Sequence, residues 1–265
     1  MAQDGVERVW RLLELSVDDP AMNLAIDEAL IRSKTAGEAP PTLRLWRNPP
    51  CIVIGISQNP FVEIDLAACR ELNLPVVRRQ SGGGAVYHDR GNLNYTLVMD
   101  YAALAGNTST EQSYAFLLQG VIAALGRFGL SASLRNISDV YVGERKIAGC
   151  AQYRTSEAIL HHGCLLVEAD LGVLERTLRV PAAWYREVVN LADLVKPAPG
   201  PAGTAAALAA AYGELFAVEL RPGELTAAEW ARAEQLYAEK YRQSEWHLRV
   251  SPGWKPGRYG PRGRS

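Results

Sequence analysis

Two arginines, three consecutive glycines and a histidine stand close together in "RRQSGGGAVYHD" at 78–89. Arg78, Arg79 and His88 could supply charged donors, and Gly82, Gly83 and Gly84 could bring backbone N–H groups against a phosphate or carboxylate. A hairpin loop beside two solvated arginines would use the same residues, and the local pattern leaves both readings open. A second candidate is "DVYVGERKIAGCAQ" at 139–152, where Lys146 follows the turn Gly143-Glu144-Arg145 and precedes small residues. Its ammonium could reach into a cleft beside a phosphate whose charge shifts during reaction. A hairpin lysine is far more often a solvated surface group, so the residues alone do not assign it. The third candidate is His161-His162-Gly163. Neighbouring strand positions face opposite sides, so these histidines cannot share a metal without distortion, and a structural role is expected for at least one.

The elements that must position these residues are legible in outline. Asp19, Pro20 and the apolar spacing of Met22, Ala25, Ile26, Ala29 and Leu30 predict an amphipathic helix. Residues 42–47 and 51–56 read as strands joined by the Asn48-Pro49-Pro50 turn, the second apolar throughout and therefore central. A short helix over 65–72 and a strand over 75–78 lead to the glycines, which give way to strands over 85–88 and 94–99. The glycines thus lie between strands. A P-loop or a dinucleotide fingerprint needs a helix straight after its glycines, at a spacing absent here, so both are excluded.

A long helix is expected over 110–128, then strands over 131–135, 139–142, 146–153 and 159–167, and a short helix over 171–178. Residues 196–203 are rich in Pro and Gly and read as a linker before helices over 204–216 and 226–241. Strands and helices mix without regular alternation. The expected fold class is therefore α+β, with a mixed, largely antiparallel sheet and flanking helices.

The 265 residues are 48% hydrophobic and 22% charged, as in an ordinary globular protein able to bury a substantial core. A net charge of -1 gives no case for a general nucleic-acid binder. No apolar run is long enough to span a membrane, and the N-terminal residues lack the apolar centre of a signal peptide, so a cytoplasmic location is expected. Cys51, Cys69, Cys150 and Cys164 show no CxxC pairing, so neither zinc nor a disulfide framework is indicated. Residues 249–265 are basic and rich in Gly and Pro, and form an expected disordered tail to a domain spanning 1–248.

In combination, "RRQSGGGAVYHDRGNLNYT" at 78–96, the lysine stretch at 139–152 and "HHGCLLVEADL" at 161–171 closely resemble the lipoate-protein ligase A family. "NLAIDEAL", "LRLWRNPPCIVIGISQN" and "EKYRQSEWH" fit it as well, so the resemblance runs from about residue 10 to 247. It implies a biotin-protein ligase-like catalytic domain, related in fold to the class II aminoacyl-tRNA synthetase core. It also implies ATP-dependent activation of lipoate to lipoyl-AMP, with Mg²⁺, and transfer of the acyl group to a lysine. The partners implied are lipoyl domains of 2-oxoacid dehydrogenases or the glycine-cleavage H protein, with no nucleic acid and no membrane.

On this resemblance Arg79, Ser81, Gly82, Gly83, Gly84, His88, Asn94, Gly149 and His162 line the lipoyl-AMP or ATP site. Lys146 is the catalytic cation at the adenylate phosphate, and Asp139 orients a metal or water. Members of this kind usually carry a further C-terminal domain that closes over the adenylate. None follows Trp246 here, so a separate accessory subunit is expected.

The competing expectation within the superfamily is an octanoyltransferase or lipoyl amidotransferase that uses no ATP and forms a cysteine thioester. In one such branch the cysteine precedes the equivalent of Asp139, where residues 131–138 have none; in the other it follows the late strand-helix block, where 178–184 have none. The ligase is therefore the favoured expectation. A non-catalytic acyl or lipoyl-domain binder would not need Arg79, His88 and Lys146 together.

Overall fold

A computed structural model describes residues 8–179 and 188–250. Its strands, in chain order, are β1 Val9–Glu14, β2 Thr42–Trp46, β3 Cys51–Ile54, β4 Val76–Arg78, β5 Val86–His88 and β6 Asn92–Asp100. They continue as β7 Ala132–Arg135, β8 Asp139–Val142, β9 Arg145–Arg154, β10 Ala158–Leu166 and β11 Glu219–Pro222. Eight form a main sheet in the order β11-β1-β2-β6-β10-β9-β8-β7, and β4-β3-β5 form a small one. Only β1 pairs in parallel within the main sheet, with β2 and β11; the rest is antiparallel, so the expected mixed α+β architecture is present.

Register decides which side chains meet. Trp46, Asn94, Cys164, Gly149 and Asp139 form one cross-strand row through β2, β6, β10, β9 and β8. Arg44, Thr96, His162 and Ala151 form the next, two residues along and therefore on the same face. The opposite face carries Leu43, Leu45, Tyr95 and Leu97, packed against α4 (Thr110–Gly126) and α7 (Gly200–Phe216).

The face with His162 is covered by α1 (Pro20–Thr35), α8 (Ala227–Leu236) and one side of the small sheet. Asp19 caps α1 by accepting from the Ala21 and Met22 N–H groups, and Pro20 opens it, as its sequence predicts. Its polar residues do not all face water, however: Asn23, Asp27 and Glu28 are buried with the apolar ones. The helix is enclosed because the sheet, α8 and the glycine-bearing loop pack around it.

The strands at 42–47 and 51–56 do not form a hairpin. Pro49 and Pro50 carry no N–H to continue a ladder, and the chain leaves the main sheet there. β3 is central in the small sheet instead. Its Cys51 and Val53 face α1, while Ile52 and Ile54 face α3 (Leu66–Glu71) and α5 (Leu171–Thr177), so both sides must be apolar. The expected linker at 196–203 is also corrected: Gly200 already begins α7, whose N-terminus tolerates Pro201. The short elements α2 (Pro60–Glu63), α6 (Leu191–Leu194) and α9 (Ser244–Leu248) were not anticipated, nor was β11, whose sequence Glu-Leu-Arg-Pro has no strand pattern. The tail expectation at 251–265 lies outside the described residues, as do 180–187.

Candidate active site

The loop between β4 and β5 is braced from within. Arg79 is buried, and its guanidinium donates to the carbonyls of Gly82 (2.6 Å) and Gly84 (2.9 Å) and to Ser81 Oγ (3.1 Å). These bonds turn three glycines into a fixed structure. Gly83 has φ +86°, and a Cβ there would lie 2.9 Å from Arg79 Nη2; one on Gly55 would lie 2.3 Å from the Gly83 carbonyl. Among the described residues no acceptor takes the N–H of Gly82, Gly83 or Gly84. The loop therefore ties down its carbonyls and leaves its donors for an anion.

This corrects the expectation that the arginines wrap an anion with their own forks. Arg79 spends its donors on the loop and contributes a fixed positive field; burial lowers its pKa to about 10, which leaves it charged at neutral pH. Arg78 is fully buried and points elsewhere. It donates to the carbonyls of Gly55, Ile56 and Gln58 and to those of Trp246, His247 and Arg249, fastening α9 to the small sheet.

Beneath the loop, Ser81 Oγ lies 2.6 Å from His162 Nε2, and His162 Nδ1 lies 3.2 Å from Asp27 Oδ2. Asp27 also accepts from Arg44 Nη1 (2.7 Å) and from the Thr96 hydroxyl (2.9 Å). Burial raises the Asp27 pKa, but His162 and Arg44 outweigh it and hold the carboxyl below its ordinary value. As strand alternation requires, His161 faces the other way, packed against Tyr95 and Tyr114. Burial and then the neighbouring His162 push its pKa down to about 3, so it is a neutral core residue.

His88 is buried on β5, with Nδ1 3.1 Å from Asn48 Nδ2. Burial, Arg79 and His162 lower its pKa to about 3, so it too stays neutral; accepting at Nδ1 leaves Nε2–H as a donor. Asn94 is more telling. Its side chain is buried on the same face as His162, and neither Oδ1 nor Nδ2 has a partner among the described residues. A buried amide with all its bonding capacity unused marks a place where a ligand's polar group fits.

Lys146 lies at the far end of this face. Tyr141 pairs with Lys146 and Val140 with Ala148, so Ile147 is an extra residue, a bulge that re-aims the strand. The ammonium sits 2.7 Å from Asp139 and would be 3.1 Å from a Cβ on Gly149, so glycine at 149 leaves it room. The sequence had singled out both halves of this arrangement without placing them in contact. Asp139 is less suited to its expected metal role: it is paired with Lys146, and no group of three His, Cys, Asp or Glu suited to a metal occurs among the described residues. The donors of the described residues thus do not fit a protein-held Mg²⁺.

A family model described as the lipoyl protein ligase A/B catalytic domain matches residues 19–213. The chain belongs to that family. It is 33% identical to an octanoyltransferase LipM of Kyrpidia tusciae, over 91% of this chain and 99% of that one. It is 31% identical to lipoate-protein ligase A subunit 1 of Thermoplasma acidophilum, over 86% and 91% respectively. Among solved structures, the bi-partite lipoate protein ligase of T. acidophilum superposes with a TM-score of 0.85 at 30% identity, covering 94% of this chain and 99% of that one. A lipoate-protein ligase A bound with ATP superposes at 0.83 and 31%, covering 91% and 99%.

For a member of the lipoyl protein ligase A/B family, the four thiols are informative. Cys150 faces Tyr95 and the α4/α7 layer, away from His162, and its thiol donates to the Ser138 carbonyl (3.1 Å). Cys164 lies on the site face beside Asn94, but burial pushes its pKa up to about 12. Burial raises Cys150, Cys51 and Cys69 as well. Sequence reasoning missed Asp27, Thr96 and Arg44. The signal available was Asn23 and Asp27 four residues apart on α1, a spacing that places both polar groups on one face. No described helix is long and apolar enough to cross a membrane.

Proposed function

We propose that this enzyme activates lipoate with ATP to lipoyl-AMP and transfers the lipoyl group to a lysine of a lipoyl domain. The observation that carries the reading is that one sheet face carries Lys146 and an Asn94 amide with no partner among the described residues, near a glycine loop with unused N–H donors, while burial raises the pKa of all four thiols. In the first step the lipoate carboxylate attacks the α-phosphorus and pyrophosphate leaves. Two anions must approach, so the Lys146 ammonium and the loop N–H groups offset the charge that develops between them. In the second step a lysine amine attacks the acyl carbonyl and AMP leaves. Positioning of that amine is the enzyme's main contribution there.

Mg²⁺ would come in with the ATP phosphates rather than on a protein-held site. The bi-partite character of the T. acidophilum relative supports a separate accessory subunit here, and its description with an E2 lipoyl domain supports that class of acceptor. The test is lipoate-dependent exchange of labelled pyrophosphate into ATP, with and without such a subunit. No exchange in either case would overturn the reading.

The name of the 33% identical relative favours a second reading, ATP-independent octanoyl transfer. Cys164 is then the candidate thiol, because Cys150 faces away from His162. Octanoyl transfer without ATP that disappears in Cys164→Ser would replace the ligase proposal with this one.

A further inference from the structure

The Ser81, His162 and Asp27 side chains line one small cavity together with the apolar Leu24, Ile31 and Leu160. The contacts among the three run in an order that does chemistry: hydroxyl to imidazole at 2.6 Å, imidazole to carboxylate at 3.2 Å. We propose that Ser81 is an acyl-accepting nucleophile, with His162 as its base and Asp27 as the group that orients His162, and that it takes aliphatic acyl groups from thioesters. This activity needs no ATP and is independent of the adenylation reading.

Four features support a nucleophilic role beyond a simple latch. Asp27 fixes the imidazole: its carboxylate accepts at His162 Nδ1, so Nε2 is the nitrogen left to take the Ser81 proton. That carboxylate is itself held by Arg44 and Thr96, so the orientation is not free to drift. Arg79 Nε, 3.1 Å from Ser81 Oγ, favours the alkoxide as it forms. The N–H groups of Gly82 and Gly83, without an acceptor among the described residues, follow the serine directly, where an acyl oxygen that becomes negative needs donors. Leu24, Ile31 and Leu160 give the small cavity an apolar side, next to the polar Glu28, Gln80 and Tyr241.

The step balances with no further reactant. Ser81 Oγ bonds to the acyl carbon, its proton passes to His162 Nε2, the carbon–sulfur bond breaks, and the departing thiolate takes that proton. An amine or water then attacks the serine ester, gives a proton to His162, and the carbon–Oγ bond breaks with the proton returned to Ser81.

The full chain should be incubated without ATP with octanoyl-CoA or an octanoyl nitrophenyl ester, quenched in acid, and mapped by mass spectrometry. One octanoyl group is expected on the peptide that carries Ser81. Ser81→Ala should abolish the adduct, and Ser81→Cys should restore it as a thioester labile to neutral hydroxylamine. His162→Gln and Asp27→Asn, each shown folded by circular dichroism, should slow acylation, His162→Gln by about 10²–10⁴-fold. Absence of an adduct, an adduct on Cys150 or Cys164, or a folded Ser81→Cys that stays unacylated would each overturn the proposal. Pyrophosphate exchange, measured separately, reports on the ligase reading, so either can fail alone.

Discussion

The Lys146 ammonium and the Asp139 carboxylate lie 2.7 Å apart at the end of the sheet face that also carries His162 and Asn94. The pair is mostly buried, with side chains 20% and 16% exposed, and keeps a limited opening to solvent. The carboxylate holds the ammonium in place over Gly149 until an anion arrives. Lys146→Met should lower lipoate-dependent pyrophosphate exchange by about 10²–10³-fold, the usual cost of removing one oriented charge-stabilising group. Thermal stability should also fall, because the change leaves the largely buried Asp139 carboxylate without its cation. Asp139→Asn keeps the cation and should fall between the two proteins in rate. Exchange unaltered in Lys146→Met would remove the lysine from the chemistry.

Gly83 carries a backbone constraint that can be tested directly. Its φ of +86° is costly for a residue with a Cβ, and the added atom would meet Arg79 Nη2 at 2.9 Å. Strain of this kind costs about 1–3 kcal/mol, an amount the domain can absorb. The guanidinium, however, must shift, and with it the bonds to the Gly82 and Gly84 carbonyls that shape the loop. Gly83→Val is expected to keep a native circular dichroism spectrum and lose acyl activation. An active Gly83→Val enzyme would mean that the stretch is only a turn.

Much of this arrangement was legible before any coordinates. Most of the strands and long helices follow from their periodicity, and the glycine and lysine stretches stood out as candidates. What the sequence could not show was partnership. Arg79 was expected to grip an anion, yet its guanidinium donates to the loop carbonyls of Gly82 and Gly84 and to the Val53 carbonyl of β3. Asp27 was hidden because helical periodicity assigns polar residues to water, whereas α1 is enclosed on nearly every side. Lys146 and Asp139 are brought together by a bulge, and a register shift of one residue has no composition signal.

Asn94 offers a test that separates a binding residue from a structural one. Its amide is about 1% exposed and has no partner among the described residues, an arrangement that costs about 1–3 kcal/mol in the unliganded chain. Replacing it by Leu, close in shape and without polar atoms, should leave the unliganded protein as stable or more stable. The same change should weaken lipoate binding by about tenfold or more, the loss of one hydrogen bond worth about 1.4 kcal/mol. Thermal melts with and without lipoate, together with equilibrium binding, measure both. A destabilised variant with unchanged affinity would make Asn94 structural.

His88 and His161 predict how stability should vary with pH. Each has an ordinary pKa of 6.5 when exposed and about 3 in the folded chain, lowered chiefly by burial. A depressed histidine means that the unfolded state binds the proton more readily than the folded one. Stability is therefore fully present above pH 6.5 and is lost as pH falls from 6.5 towards about 3. The slope is about 1.4 kcal/mol per pH unit for each histidine within that window. Asp27 and Glu28, both held below their ordinary values, add loss of the same sign at the acid end. Urea midpoints should decline steadily across the window in the unaltered chain. His161→Gln retains a polar group beside Tyr95 and Gln152 but cannot titrate, so its profile should be shallower by about one proton's worth. A flat profile in the unaltered chain, or an equal slope in His161→Gln, would show that these histidines are not held neutral by the fold.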